Sequence, residues 1–294
     1  LLLLGAFILG IGQSATLQTR YAASFVAGTK FKATALSLAV WFSVFGSVFG
    51  PRMVGSYSNF FENIFNSDLI VGYVIAFVGM LFAAASLFTF TSKNSILRSP
   101  SDLENESSDQ SVERKNGNLL SLLLVLNHFT MVVIMSATPL HIQDIGETVQ
   151  LVGIIISYHT LGMFLFSPIL GTYVDKYGFK KFTYVGTVIL FISCVITLIN
   201  SGPTALKIGL YLLGLGWNFN YVAISAAISK FSIKYRTPLN IKSDSFVFLG
   251  SFIAHTSLGI SYLLIGFNGL SFVGIAVSVF LFYNLKNLNK LNIE

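Results

Sequence analysis

Charge is what this chain has least of. Asp, Glu, Lys and Arg make up only 10% of its 294 residues, against roughly 25% in a soluble domain. So little charge cannot cover a surface in water, and the composition points to a lipid bilayer as the solvent. Cysteine is nearly missing as well. The single Cys194 lies inside an apolar run, which leaves no internal disulfide and no cysteine-based metal cluster. No nucleophile–base pair, no metal-ligand spacing and no Gly-rich loop with a phosphate-binding Lys is present. These absences speak against an enzyme, a resident cofactor or metal, and an ATPase. An initiator Met and the basic n-region of a signal peptide are missing too. The chain opens on Leu-Leu-Leu-Leu and reads as N-terminally truncated.

What is abundant is apolar length. Hydrophobic residues are 54% of the chain, and the mean hydropathy is +0.74. Nine apolar runs cover 1–17, 33–57, 69–92, 117–140, 149–174, 182–200, 207–229, 243–265 and 268–285. A spanning helix needs about 20 such residues, so the expected fold is an all-α polytopic membrane protein. The net charge of +6 could suggest nucleic acid, but the charge follows the loops instead of forming one patch. Of the 18 basic residues, 16 fall in alternate loops, at 20–32, 93–115, 176–181, 230–242 and 286–290. The opposite loops hold Lys207 alone, and Arg52 lies toward the outer end of a span. The positive-inside rule puts the basic loops and the C-terminus in the cytoplasm. Residues 93–116, rich in Ser, Asn, Asp and Glu, are too polar to order themselves by burial. They read as a cytoplasmic linker with a short helical piece at one end.

Residues 171–181, Gly-Thr-Tyr-Val-Asp-Lys-Tyr-Gly-Phe-Lys-Lys, join two of the runs. Gly171 permits close helix packing or a turn, and Gly178 suits a tight turn. Asp175 is a lone carboxylate among Lys176, Lys180 and Lys181, and a helix N-terminus would favour it. The plainer reading is an ordinary basic turn. A second motif, Gly46-Ser-Val-Phe-Gly50-Pro51-Arg52-Met-Val-Gly55, spaces glycines for close approach and kinks its helix at Pro51. Simple packing with a kink is the other account of it.

Polar residues inside spans usually face an interior or a cavity. Gln13, Asn127, His128, His159, Asn218, Asn220, Asp244 and His255 are of this kind. With Trp217, the first seven form the candidate path for a solute or a proton. An ordinary histidine titrates near neutral pH, which makes His128 and His159 the candidate proton carriers, although each equally suits an interhelical hydrogen bond. Asp244 stands near the start of its span, where it can cap the helix. In Gly214-Leu-Gly216-Trp217-Asn218-Phe219-Asn220-Tyr221, the aromatic and amide groups suit stacking and hydrogen bonding to a planar ligand, or plain packing.

The 171–181 loop resembles the cytoplasmic loop signature of the major facilitator superfamily of secondary transporters. Lys176 stands where Arg is usual, and the last two basic residues are both Lys. The resemblance implies that Asp175 docks on the cytoplasmic start of the span beginning near Ala33 and helps hold an outward-open state. The Gly46–Gly55 segment is similar to the family's fifth-helix signature associated with antiporters, with Val54 in place of a usual Gly. Gly10-Ile-Gly12-Gln13-Ser14-Ala15 fits the end of the fourth-helix signature. The Arg of that signature would fall on Ala6, and its absence puts a standard proton route in doubt. Ser136-Ala-Thr-Pro139-Leu-His141, His159-Thr-Leu-Gly162-Met163, Ser167-Pro168 and Gly214–Phe219 resemble a bacterial branch similar to rhizobial riboflavin transporters.

The general resemblance spans essentially the whole chain. It implies about nine of twelve helices of a six-plus-six fold, in a bacterial inner membrane and as a monomer. Residues 1–92 would be the second half of the N-terminal bundle, 93–116 the linker and 117–294 the C-terminal six-helix bundle. The expected function is alternating-access transport of a small organic solute, with proton coupling left open. The alternative is a non-transporting membrane sensor or scaffold on the same fold. A channel would need rings of charge, which are missing, and a membrane enzyme would need clustered acids or histidines.

Overall fold

The computed structural model describes residues 2–27, 29–47, 49, 60, 64, 70–93, 110–231 and 233–288. Among them every regular element is helical. The order is α1 Leu2–Val26, a 3-10 turn Thr29–Phe31, α2 Lys32–Trp41, α3 Ile70–Lys93 and α4 Gln110–Asp144. Then come α5 Val149–Phe164, α6 Ser167–Tyr177, α7 Phe179–Ile199, α8 Pro203–Ser229 and α9 Ile233–Leu288. Contacts divide the chain into two compact units, Leu1–Ser43 with Ser108–Glu294, and Val44–Ser107. The second unit contains α3, which exposes Tyr73, Phe77, Met80 and Phe82. Gly46 is helical in that unit, while Gly50, Pro51 and Gly55 of the kink motif lie outside the described residues.

Four helical stretches among the described residues are long and apolar enough to cross a membrane: Arg114–Asp144, Leu151–Tyr177, Phe179–Ile199 and Tyr235–Lys286. They coincide with five of the apolar runs, because the last stretch carries two. Helix α9 is broken within by Gly266, whose φ of 63° and ψ of −176° no ordinary helical residue adopts. The run 149–174 is divided in turn, since α5 ends at Phe164 and α6 begins at Ser167. Pro168, in the first turn of α6, has no N–H to donate back to α5, so the hydrogen-bond ladder of α5 is not continued across it. The polar stretch 93–116 ends in helix, with α4 starting at Gln110.

Around a core of buried Leu and Ile that also encloses polar side chains, the outer surface carries large exposed apolar residues. Asn127, His159, Asn218, Asn220 and Ser193 are fully buried, while Phe252, Ile260, Leu263, Leu264 and Ile199 are exposed. Apolar atoms facing outward and polar atoms facing inward is the arrangement a bilayer selects. Small residues set how closely the helices approach. Helices α5 and α8 cross backbone to backbone at Gly162 and Gly214. A methyl group at Gly214 would overlap the His159 carbonyl oxygen and lie 2.9 Å from the Met163 nitrogen.

Candidate functional site

Helix α6 approaches α2 so closely that a methyl group at Gly171 would sit 2.6 Å from the Ala33 carbonyl oxygen and would overlap the Ser37 hydroxyl. One turn further along, this approach delivers Asp175 to the first turn of α2. Its Oδ1 accepts the Ala33 N–H at 3.0 Å, and its Oδ2 accepts the Thr34 N–H at 2.8 Å and the Thr34 hydroxyl at 2.6 Å. The first N–H groups of a helix have no partner within it and carry its positive end, so the carboxylate satisfies both the hydrogen bonds and the charge. Lys32, at the same end of α2, donates its Nζ to the Ser229 carbonyl of α8 at 2.9 Å. Arg236 donates to the same oxygen at 2.7 Å. Two cations thus meet the negative end of α8. In the rest of the loop, Lys176 lies 5.1 Å from the Tyr177 ring centre, and Lys181 is exposed. Lys180 is half-buried. Gly178, at φ 83°, both ends α6 and starts α7.

A cavity of about 350 Å³ lies among α1, α2, α4, α5, α8 and α9. At its polar heart Arg20 Nη2 donates to Asp244 Oδ1 at 2.6 Å and to the Tyr21 hydroxyl at 2.9 Å. The two charged side chains are only 4% and 8% exposed. The guanidinium carbon lies 4.4 Å from the Tyr21 ring centre and 4.3 Å from that of Tyr221. Trp217 stacks on Tyr221 at 4.3 Å, and Phe164 meets Trp217 edge-on at 6.5 Å. The Trp217 indole N–H donates to His128 Nδ1 at 3.2 Å. Gln13, Thr19, Ser43 and Phe248 complete the polar and aromatic lining.

Of the eight candidate path residues, the cavity is lined by Gln13, His128, Trp217 and Asp244. The other four are packed between helices. Asn220 donates its amide to the Asn127 side-chain oxygen at 2.9 Å, and Asn127 donates to the Trp217 carbonyl at 3.2 Å. Ser167 donates to the Asn218 side chain at 3.0 Å. The Nδ1 of fully buried His159 bonds to the Leu210 carbonyl at 2.9 Å. These are interhelical hydrogen bonds in place of cavity walls. His255 is exposed and bonds to Ser136 and Ser251. Asn220→Leu is expected to lower stability by about 1–2 kcal/mol, since it leaves the Asn127 amide oxygen without its Asn220 partner. A fall in the detergent-solubilised thermal midpoint checks this, and an unchanged midpoint would deny the seam a structural role.

Two readings need correction. Arg20, counted with the basic loop 20–32, lies instead within helix α1 and is buried. Asp244 does not cap its helix, because it lies well inside α9 with its carboxylate on Arg20. That pairing was missed in the sequence. The available signal was chemical complementarity: a charge at membrane depth requires a partner, and Asp244 is the one carboxylate within the predicted spans. Also unforeseen were Tyr21 and Tyr221 as the aromatic bed of the cation.

An apolar outer surface, long apolar helices and a cavity holding a buried ion pair together define a polytopic helical membrane protein. The chain belongs to the Major Facilitator Superfamily, whose model matches residues 1–240. It is 30% identical over 240 residues to the uncharacterized MFS-type transporter YdeG of Bacillus subtilis, covering 78% of this chain and 56% of that one. Identity to YddS, a second such transporter of the same organism, is 29% over 241 residues, covering 78% and 55%. The riboflavin transporter RfnT of Brucella anthropi is 25% identical over 239 residues, covering 77% of this chain and 56% of RfnT. The chain spans about half the length of the curated relatives it matches.

Proposed function

We propose that this chain serves secondary transport of a small organic solute across a bacterial inner membrane by alternating access. The cavity carries the reading. Helices α1 and α2, which precede the polar stretch 93–116, wall it together with α4, α5, α8 and α9, which follow that stretch. A site shared between two bundles is what a rocking mechanism requires. On this reading residues 1–92 and 117–294 belong to different bundles, the basic loops and C-terminus face the cytoplasm, and the protein works as a monomer. Asp175 on α2 then acts as a clasp that holds the cytoplasmic side closed. His128, which lines the cavity, is the better placed histidine for carrying a coupling proton, and fully buried His159 supports the bundle. The likeness to RfnT makes riboflavin one solute to try.

The test uses proteoliposomes of the full chain with a pH-sensitive dye inside, challenged with flavins, drugs, sugars and organic acids. Accumulation of one class of solute supports transport, and a matching proton signal supports coupling. No movement of any solute by monodisperse, inserted protein would favour the sensor or scaffold reading instead.

A further inference from the structure

We propose that the cavity takes a flat aromatic carboxylate, whose acid group replaces Asp244 on Arg20. This rests on the transport reading above and names the solute class of that site. The guanidinium is already fixed against two tyrosine rings, at 4.4 and 4.3 Å, so little ordering remains to be done when a ligand arrives. An arginine fork matches a carboxylate with two parallel N–H···O bonds. Asp244 accepts from Arg20 Nη2, while among the described residues the buried Arg20 Nε has no acceptor. A carboxylate approaching that edge gains the bond that Asp244 leaves unmade. Beside it, Trp217, Tyr221 and Phe164 present an aromatic wall that suits a flat ring. The cavity volume of about 350 Å³ is at the small-ligand end of the usual range.

Charge argues for an acid over an amine. An amine would have to win Asp244 from a cation held in place on two rings. When the acid takes Arg20, Asp244 gives up that ion pair in a desolvated site, and a proton on Asp244 keeps the charge of the cavity balanced. Among the described residues, the charged and titratable groups near it include Arg20 and Tyr21 on α1, His128 on α4 and Tyr221 on α8. Its own helix contributes Val247 and Phe248 to the lining. The solute therefore enters with one proton, and the net charge of the cavity is unchanged.

The test is equilibrium binding of 2-naphthoate, its neutral amide, 2-naphthylmethylamine and cyclohexanecarboxylate to the purified full chain in nanodiscs. Trp41 and Trp217 are the two tryptophans of the chain, so Trp41→Phe leaves Trp217 as the fluorescent reporter in the cavity. Naphthoate is expected to bind at least about tenfold more tightly than the other three probes, the scale of one charge-assisted contact. Asp244→Asn should tighten naphthoate by about tenfold, because the competitor is gone, and should flatten its pH dependence. Arg20→Gln should abolish binding. The double variant Arg20→Gln with Asp244→Asn removes both charges together, and should fold without binding even if Arg20→Gln alone does not fold. Preference for the amine, with its loss in Asp244→Asn, overturns the proposal. So does the absence of naphthoate binding; if another class of solute still moves in proteoliposomes, the transport reading survives that failure. Naphthoate binding without any transport would support the site and sink the transport reading.

Discussion

Asp175→Asn is expected to cut solute uptake by about 10- to 100-fold while leaving membrane insertion intact, a loss of about 1.4–2.8 kcal/mol. The carboxylate accepts three hydrogen bonds, from the Ala33 and Thr34 amides and the Thr34 hydroxyl. All three partners are donors here, and an amide in place of the acid turns one of its two acceptors into a competing donor. It also removes the negative charge from the positive end of α2, worth about 0.3–1 kcal/mol at an exposed helix end and more where partly buried. The same variant can be read without a substrate. Cys194 is buried, so Lys30→Cys supplies an accessible thiol beside α2. Its labelling is expected to speed up when Asp175 no longer holds that helix. Near-normal uptake together with unchanged labelling would remove the clasp role from this loop.

The second large effect concerns the α5–α8 crossing. Gly214→Val is expected to abolish monodisperse protein, and Gly214→Ala to destabilise it by about 3 kcal/mol, at the upper end of overpacking costs. What a side chain meets there is backbone: the His159 carbonyl and, at 2.9 Å, the Met163 nitrogen. Backbone on both sides cannot yield without separating two whole helices. Gly250→Ala is the matched control, because its methyl group would meet Val125 at an ordinary 3.8 Å. In a helix interior that replacement should be neutral or slightly stabilising. A Gly214→Ala protein as stable as the Gly250→Ala control would mean the two helices need not approach so closely.

The places of the helices were legible in the sequence because membrane spans are long, apolar and separated by polar loops. The division at Phe164 to Ser167 and the break at Gly266 were not, since both fall where hydropathy stays high. The partner of Asp175 was legible only through a resemblance, as nothing in residues 171–181 by itself points to Ala33. Which way polar side chains face was hardly legible at all. These spans are apolar around most of their circumference, so periodicity does not separate a cavity face from a packing face. Asn127 and His128 show the difficulty. They are neighbours in sequence, yet one bonds helix to helix and the other lines the cavity. The Arg20–Asp244 pair joins residues 224 positions apart, a distance that no local pattern spans.

Gly178 gives the loop a mechanical property. One residue terminates α6 and begins α7, so the joint between them has no spare chain to stretch. Helix α6 is 11 residues long, about 16 Å at 1.5 Å per residue. Pivoted at Ser167, it shifts Asp175, about 12 Å along its axis, by about 1 Å for a tilt of about 5°, enough to stretch a hydrogen bond past its limit. With no slack at the elbow, such a tilt is not absorbed in a linker but passes into α7 as torque. Release of one carboxylate is thereby geared to the movement of a whole helix.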